Sequence, residues 1–270
     1  MTRESDAILD LAVAALSAAE PAEKVAAANR AVSALSGLKS YTPGAVRPPN
    51  RPARPAHPPL VAPGGVPRRR LGSMAGRIAL LHALAHIEFN AIDLAFDMAA
   101  RFAAEIDSEG LDAAAFIADW VSIGGEEARH FAMLAARLAE LGASYGDHPA
   151  HDGLWEAAES TRDDVLARLS VAPMALEARG LDVTPGMIER LSSAGDAASA
   201  DILKTIYADE VGHVAVGVRW FEAICASRAL EPRPTFRRLI ERHLAGGLKP
   251  PFNAKARADA GFSSAYYEAV

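Results

Sequence analysis

The chain has 270 residues, half of them apolar and 23% charged, and carries a formal net charge of −6. That composition supports a sizeable buried core and excludes a disordered polyelectrolyte. The lone Cys225 excludes an internal disulfide framework and any four-thiolate zinc or iron site, so a metal must be held by histidine and carboxylates. The mild acidity gives no global attraction to nucleic acid. Neither a signal peptide nor an apolar run near the ~20 residues of a membrane span is read, and a cytoplasmic protein with no membrane partner is expected.

Residues 4 to 36 are alanine-rich with Leu, Ile and Val at helical spacing, ended by Gly37 and Pro43. Two short helices are expected, as an N-terminal appendage over 1–42. From Pro43 to Pro67 there are nine prolines, and between Arg47 and Arg70 six arginines and no acid. Proline removes amide donors and fixes φ, so 43–72 is expected to run extended as a strap. Leu60, Val61 and Val66 would anchor it on the helices while its arginines pair with acids there. A tether for an anionic partner such as RNA is the other reading.

Helical periodicity then takes over, in segments of roughly 73–106, 112–141, 152–179 and 196–228. Thr184-Pro185 reads as an N-cap followed by proline at the first helical position, starting a short helix that ends near Gly195. No stretch alternates with period two long enough to demand a sheet. An all-α fold is expected, with a four-helix bundle over 73–230. A helix at 235–245 and an extended tail would complete 231–270.

The second long segment holds Glu126-Glu127-Ala128-Arg129-His130 and the fourth holds Asp209-Glu210-Val211-Gly212-His213. A three-residue step on a helix keeps both ends on one face, so Glu127 pairs with His130 and Glu210 with His213. Chance alone gives about 0.5 such Glu-x-x-His pairs for this composition, so the context decides. In one helix the pair interrupts a stripe of Phe116, Trp120, Ile123, Leu134 and Leu138; in the other, a stripe of Leu203, Ile206, Trp220 and Ile224. Glu88 breaks the apolar face Leu81, Leu84, Ile92, Phe102, and Glu177 lies near the line Leu166, Leu169, Pro173. A carboxylate on a buried face needs a cation or a network. One Glu from each of two helices and a Glu-x-x-His from each of two others is the donor set of dinuclear carboxylate bundles. Four carboxylates offset two divalent cations, and the oxygen-rich shell suits iron or manganese better than structural zinc. The expected ligands are therefore Glu88, Glu127, His130, Glu177, Glu210 and His213. Each motif is also preceded by an acid, Glu126 or Asp209, of the kind that takes a metal-bound imidazole's other N–H.

Segments AHIEFNAIDLAFD (85 to 97), DWVSIGGEEARHF (119 to 131), YGDHPAHDGLWEAAE (145 to 159), APMALEARGLDVTP (172 to 185), AGDAASADIL (194 to 203) and DEVGHVAVGVRWF (209 to 221) resemble the bacterial ferritin-like family called domain of unknown function 455. The resemblance spans about Pro43 to Phe262. It implies a ferritin-like fold and a dinuclear metal site within the di-iron carboxylate superfamily. It also implies that Asp209 holds His130 and Glu126 holds His213. Its relatives by architecture include ferritins, rubrerythrins, the ribonucleotide reductase small subunit, and hydroxylases acting on a tRNA base or a quinone. Leu134 stands where a radical tyrosine would be, and Tyr207 is a weak substitute.

The expected activity is that of a di-iron oxidase or monooxygenase. Its partners would be dioxygen, an electron donor and a small-molecule or RNA substrate, and the chain could pair as a homodimer. A non-catalytic iron-handling protein and a helical scaffold with a degenerate site are the other classes. His82, His86, Asn90, Asp93 and Asp97 line a second polar face, read as a network beside the core in preference to a zinc site. His148 and His151 are read as loop or interface residues. Arg129 and Arg179 could orient an anionic substrate or serve in helix-end and surface pairing.

Overall fold

The structure, a computed structural model, describes residues 4–268 except Pro43, Ala45 and 67–70. Both ends of the expected strap, including Arg68, Arg69 and Arg70, therefore lie outside the described residues. The fold is all-α, with α1 (Glu4–Ser17), α2 (Pro21–Ala34), α3 (Met74–Ser108), α4 (Ala113–Glu140), α5 (Gly153–Ser160), α6 (Val165–Val171), α7 (Ala178–Ser193), α8 (Ala197–Ser227), α9 (Pro232–His243) and α10 (Ala254–Asp259). A π-helical turn, Ala172–Glu177, carries α6 directly into α7. Among the described residues there is no strand, only a parallel bridge between Leu60 and Ala150.

The helix starts follow from their caps. Ser73, Asp112, Asp164 and Asp196 each accept the backbone N–H three residues on, at 3.0–3.1 Å, satisfying a donor that the first turn leaves free. α3 packs along α4 and α7 along α8, α4 adjoins α8, and α1 and α2 lie against α3 and α4. The shared core takes in Phe89, Phe96, Phe116, Trp120, Leu134 and Phe221. Each such side chain contributes about 1.5–3 kcal/mol by leaving water. By length and composition α3 could cross a membrane, contrary to expectation, but 78% of its apolar stretch is buried inside the protein, which makes it the central core helix.

Three expectations are corrected. Pro185 lies inside α7 and does not start a helix. Its missing N–H leaves Leu181 O without the usual partner, and Asn253 Nδ2 from the tail donates to that oxygen at 3.1 Å, so the helix continues to Ser193. The expected segment 152–179 is broken instead at 161–164, where Asp164 restarts the helix. The tail is not extended throughout, because Asn253 caps α10, whose Arg257 lies over the rings of Phe252, Phe262 and Tyr267.

The strap docks, its arginines pairing with acids as expected, but of its three expected apolar anchors only Val66 is even half-buried. Pro52 and Pro58 are buried, Ala53 N donates to Leu16 O at 2.8 Å, Arg51 pairs with Asp152 and Glu159, and Arg54 pairs with Asp93. Leu60 and Val61 stay 46% and 36% exposed, since backbone pairing of Pro59 and Val61 with Ala150 holds this stretch while its side chains face outward.

Candidate metal centre

Four helical segments converge on one buried cluster. Gly124, one turn before Glu127, is what lets α4 close on α3, because a Cβ there would come 2.8 Å from the Phe96 ring. Glu88 of α3, Glu127 and His130 of α4 and His213 of α8 are all buried. Glu88, Glu127, His130 and Glu210 each offer a ligand atom, and these atoms lie within 4.8 Å of one another, a group able to hold a metal ion. His213 joins them through Glu127, whose Oε1 stands 3.0 Å from His213 Nδ1 while its Oε2 stands 3.3 Å from His130 Nδ1. One carboxylate thus reaches both imidazoles. Glu177 ends the π-turn outside the tight group. Its Oε2 is sealed from solvent, and its carboxylate senses the charges of Glu127 and His213.

The far side of each ring is tied to the opposite helix. His130 Nε2 shares a hydrogen bond with Asp209 Oδ2 at 2.9 Å, and His213 Nε2 shares one with Glu126 Oε2 at 2.8 Å. With the Nε2–H donated outward to a carboxylate, Nδ1 is the nitrogen that each ring turns toward the cluster.

Crowded buried acids make the electrostatics severe. Burial, and then the charge of Glu127, push Glu88 up to about 8 and Glu177 up to about 7, and raise Glu210 well above the ordinary carboxylate range. Glu127 is itself held low despite its burial, by the charge of His213 and by the hydrogen bond it shares with His130. Against the effect of burial, Glu127 and Glu88 push His130 up to about 11, and Glu127 and Glu126 raise His213. Crowded carboxylates of this kind take up protons unless a bound cation offsets their charge.

The donor set fits a metal. Glu88 Oε2, Glu127 Oε1, Glu177 Oε2, Glu210 Oε2 and His213 Nδ1 are buried without a hydrogen-bond partner. Each such atom costs about 1–3 kcal/mol unless something satisfies it. The Glu127–His213 approach has the distance of a hydrogen bond but not its angle. Carboxylate oxygens with two imidazoles suit iron or manganese. Against Glu88, Glu177 and Glu210 lies a cavity of about 210 Å³ with mostly apolar walls.

Residues 17–268 match the family described as "Protein of unknown function (DUF455)". The chain belongs to this family. A relative in Haemophilus influenzae, an "uncharacterized protein", is 42% identical over 211 residues, covering 78% of this chain and 73% of its own. No solved structure matches. The DUF455 match takes in the strap, the cluster and the tail.

Other charged residues have structural partners. Arg129 pairs with Asp209 at 2.6 Å, and Arg179 donates to Lys249 O and Pro251 O at 2.8 and 3.0 Å, holding the tail. On the second polar face of α3, His86 Nδ1 meets Tyr145 Oη at 2.9 Å, and Asp97 takes Arg101 and Arg168, each at 2.6 Å. Asp93 takes Arg54 and, at 2.5 Å, Lys24. That face is the network on which the strap, α2 and α6 are fastened. The cavity walls escaped the sequence reading of function, although the stripe Leu203, Ile206 leading to Glu210 was its signal.

Proposed function

We propose that this chain is a ferritin-like dinuclear carboxylate protein. Glu88, Glu127, His130, Glu177, Glu210 and His213 hold two iron ions, with manganese the alternative, and the chain works as an oxidase or monooxygenase. The observation that carries this is that five of the thirteen orphaned buried polar atoms among the described residues come from the proposed ligands. The order along the chain supports the ferritin-like reading, with Glu on α3, Glu-x-x-His on α4, Glu at the π-turn and Glu-x-x-His on α8. Two bound irons supply reducible centres for dioxygen activation.

The chain's own residues set the conditions for that chemistry. Glu127, with one oxygen toward each imidazole, would hold metal from the middle of the cluster. Glu177, the last residue of the π-turn, would hold metal from the cavity side. Asp209 and Glu126 fix the ring planes and raise the basicity of His130 and His213. Cys225 provides no dithiol, so electrons come from a separate donor. The apolar cavity against three of the acids favours an organic substrate over iron handling.

Purification in air followed by metal analysis and optical spectroscopy tests the proposal. Two irons per chain with iron-dependent near-ultraviolet absorption are expected, and His130→Ala and His213→Ala should each abolish stoichiometric two-metal binding. One tightly held zinc, or full metal content in both variants, overturns it.

A further inference from the structure

The cavity beside the cluster says more than that a substrate is organic. Its walls come from Leu84 and Ala91 of α3, Leu176 of the π-turn, Val183 of α7, and Leu203 and Ile206 of α8. Protein interiors are close-packed, so a void of about 210 Å³ lined from four segments is a constructed space. Its base is formed by Glu88, Glu177 and Glu210, each with a carboxylate oxygen that lacks a hydrogen-bond partner. It reaches the surface beside Ile87, which is 40% exposed, and Arg179, whose side chain is 37% exposed. Arg179 Nη1 donates to the tail carbonyls of Lys249 and Pro251 and lies 3.4 Å from Asp182, which also takes the buried Arg257, so this cation is fastened to the tail at the mouth.

We infer that this cavity binds a compact, uncharged hydrocarbon group, a ring or short branched chain, with its innermost carbons against the carboxylate base. The assignment rests on the dinuclear reading for what lies beyond that base, but the binding itself does not. Size argues for the class: a dry apolar cavity of about 150 Å³ accepts benzene, and this one has room for a ring with one or two further carbons. Charge argues the same way. An anion would face the acids at the base, with Arg179 tied to the tail at the mouth, and a strongly hydrated group would lose its water to side chains that offer nothing in return. Any polar remainder of the ligand stays at the mouth, beside Arg179.

Titration of the protein as purified with toluene, followed by calorimetry and by ligand-observed NMR, tests this alongside metal analysis of the same sample. One site with a sub-millimolar Kd is expected, and benzoate, the same ring with a charge, should bind at least tenfold more weakly. Ala91→Phe and Val183→Phe fill the cavity from two different helices and should each weaken toluene at least tenfold while keeping the helical circular-dichroism spectrum. Having two such variants guards against one failing to fold. Absence of toluene binding, equal binding of benzoate, or undiminished binding in both folded variants overturns the inference. Two irons without toluene binding defeats the cavity assignment alone, whereas toluene binding in protein without a dinuclear centre upholds it and defeats the metal reading.

Discussion

A Cβ on Gly217 would stand 2.5 Å from the Cβ of Pro173, so α8 lies against the π-turn more closely than any residue bearing a side chain permits. Pro173 is the second residue of the turn that Glu177 ends. Gly217→Ala should therefore push the turn away and cost about 1–3 kcal/mol, as overpacking does, with loss of metal content through Glu177. Gly212, also in α8, has open space around its missing Cβ. Gly212→Ala should raise stability by up to roughly 1 kcal/mol. Melting temperatures of the two variants decide the matter, and an unharmed Gly217→Ala would refute the close packing.

Asp209 and Glu126 act on the centre only through the imidazoles they hold. Asp209→Asn and Glu126→Gln are each expected to weaken metal binding about 10- to 100-fold while leaving the helical spectrum unchanged. Competition with a chelator of known affinity measures this. Asp209→Asn also releases Arg129, so its melting temperature should fall slightly more than that of Glu126→Gln.

Lys24 and Asp93 are fully buried, 2.5 Å apart, and Arg54 of the strap reaches the same carboxylate. Asp93→Asn strands an ammonium in the interior, and a loss of about 3–5 kcal/mol is expected from denaturant unfolding. Adding Lys24→Met to that variant should restore part of the loss, because the stranded charge is gone; strictly additive effects would show that the pair is not coupled. The strap should loosen as well, becoming open to elastase after Ala53 and Ala56 in Asp93→Asn while staying resistant in the parent.

His82 Nε2 accepts the backbone N–H groups of Gly146 at 2.9 Å and His148 at 3.4 Å, a role only the neutral ring can fill. Burial, and next the neighbouring His148, lower its pKa to about 4, against a small opposing effect of Asp147. In the unfolded chain it titrates near 6.5. Its contribution is thus complete above about pH 6.5 and is lost as the pH falls toward 4, because there the unfolded chain binds a proton that the fold refuses. The loss approaches about 1.4 kcal/mol per pH unit in that window. His82→Gln keeps an acceptor without the titration, so its stability should fall less steeply with acid; parallel profiles would exclude His82 as the source.

Much of the centre was legible because buried charge is rare. Glu88, Glu127, His130, Glu210 and His213 all interrupt apolar stripes, and helical geometry then places each pair on one face. Glu177 was harder to phase, since the π-turn that contains Pro173 changes the angular step that such reasoning assumes. Pro185 misled for a different reason: the donor that rescues its helix, Asn253, comes from a segment 68 residues later in the chain. The partners of Asp93 and Asp97 were equally hidden. Their acids announce a network by periodicity, but Lys24, Arg54 and Arg168 meet them only once the chain has folded.

The crossed imidazole bonds turn α4 and α8 into a keyed pair. Each helix carries an inner Glu and His together with the outer acid that its neighbour's ring requires. Sliding one helix by a single turn, about 5.4 Å, would break both outer bonds at once and part Glu127 from His213. Their relative register is therefore set from within, whatever the length of the chain between them. Insertions in the exposed turn 192–195 could be absorbed outside, whereas one residue removed from α8 ahead of Asp209 would rotate that acid, Glu210 and His213 together by about 100° relative to the preceding part of the helix, undoing the key as a unit.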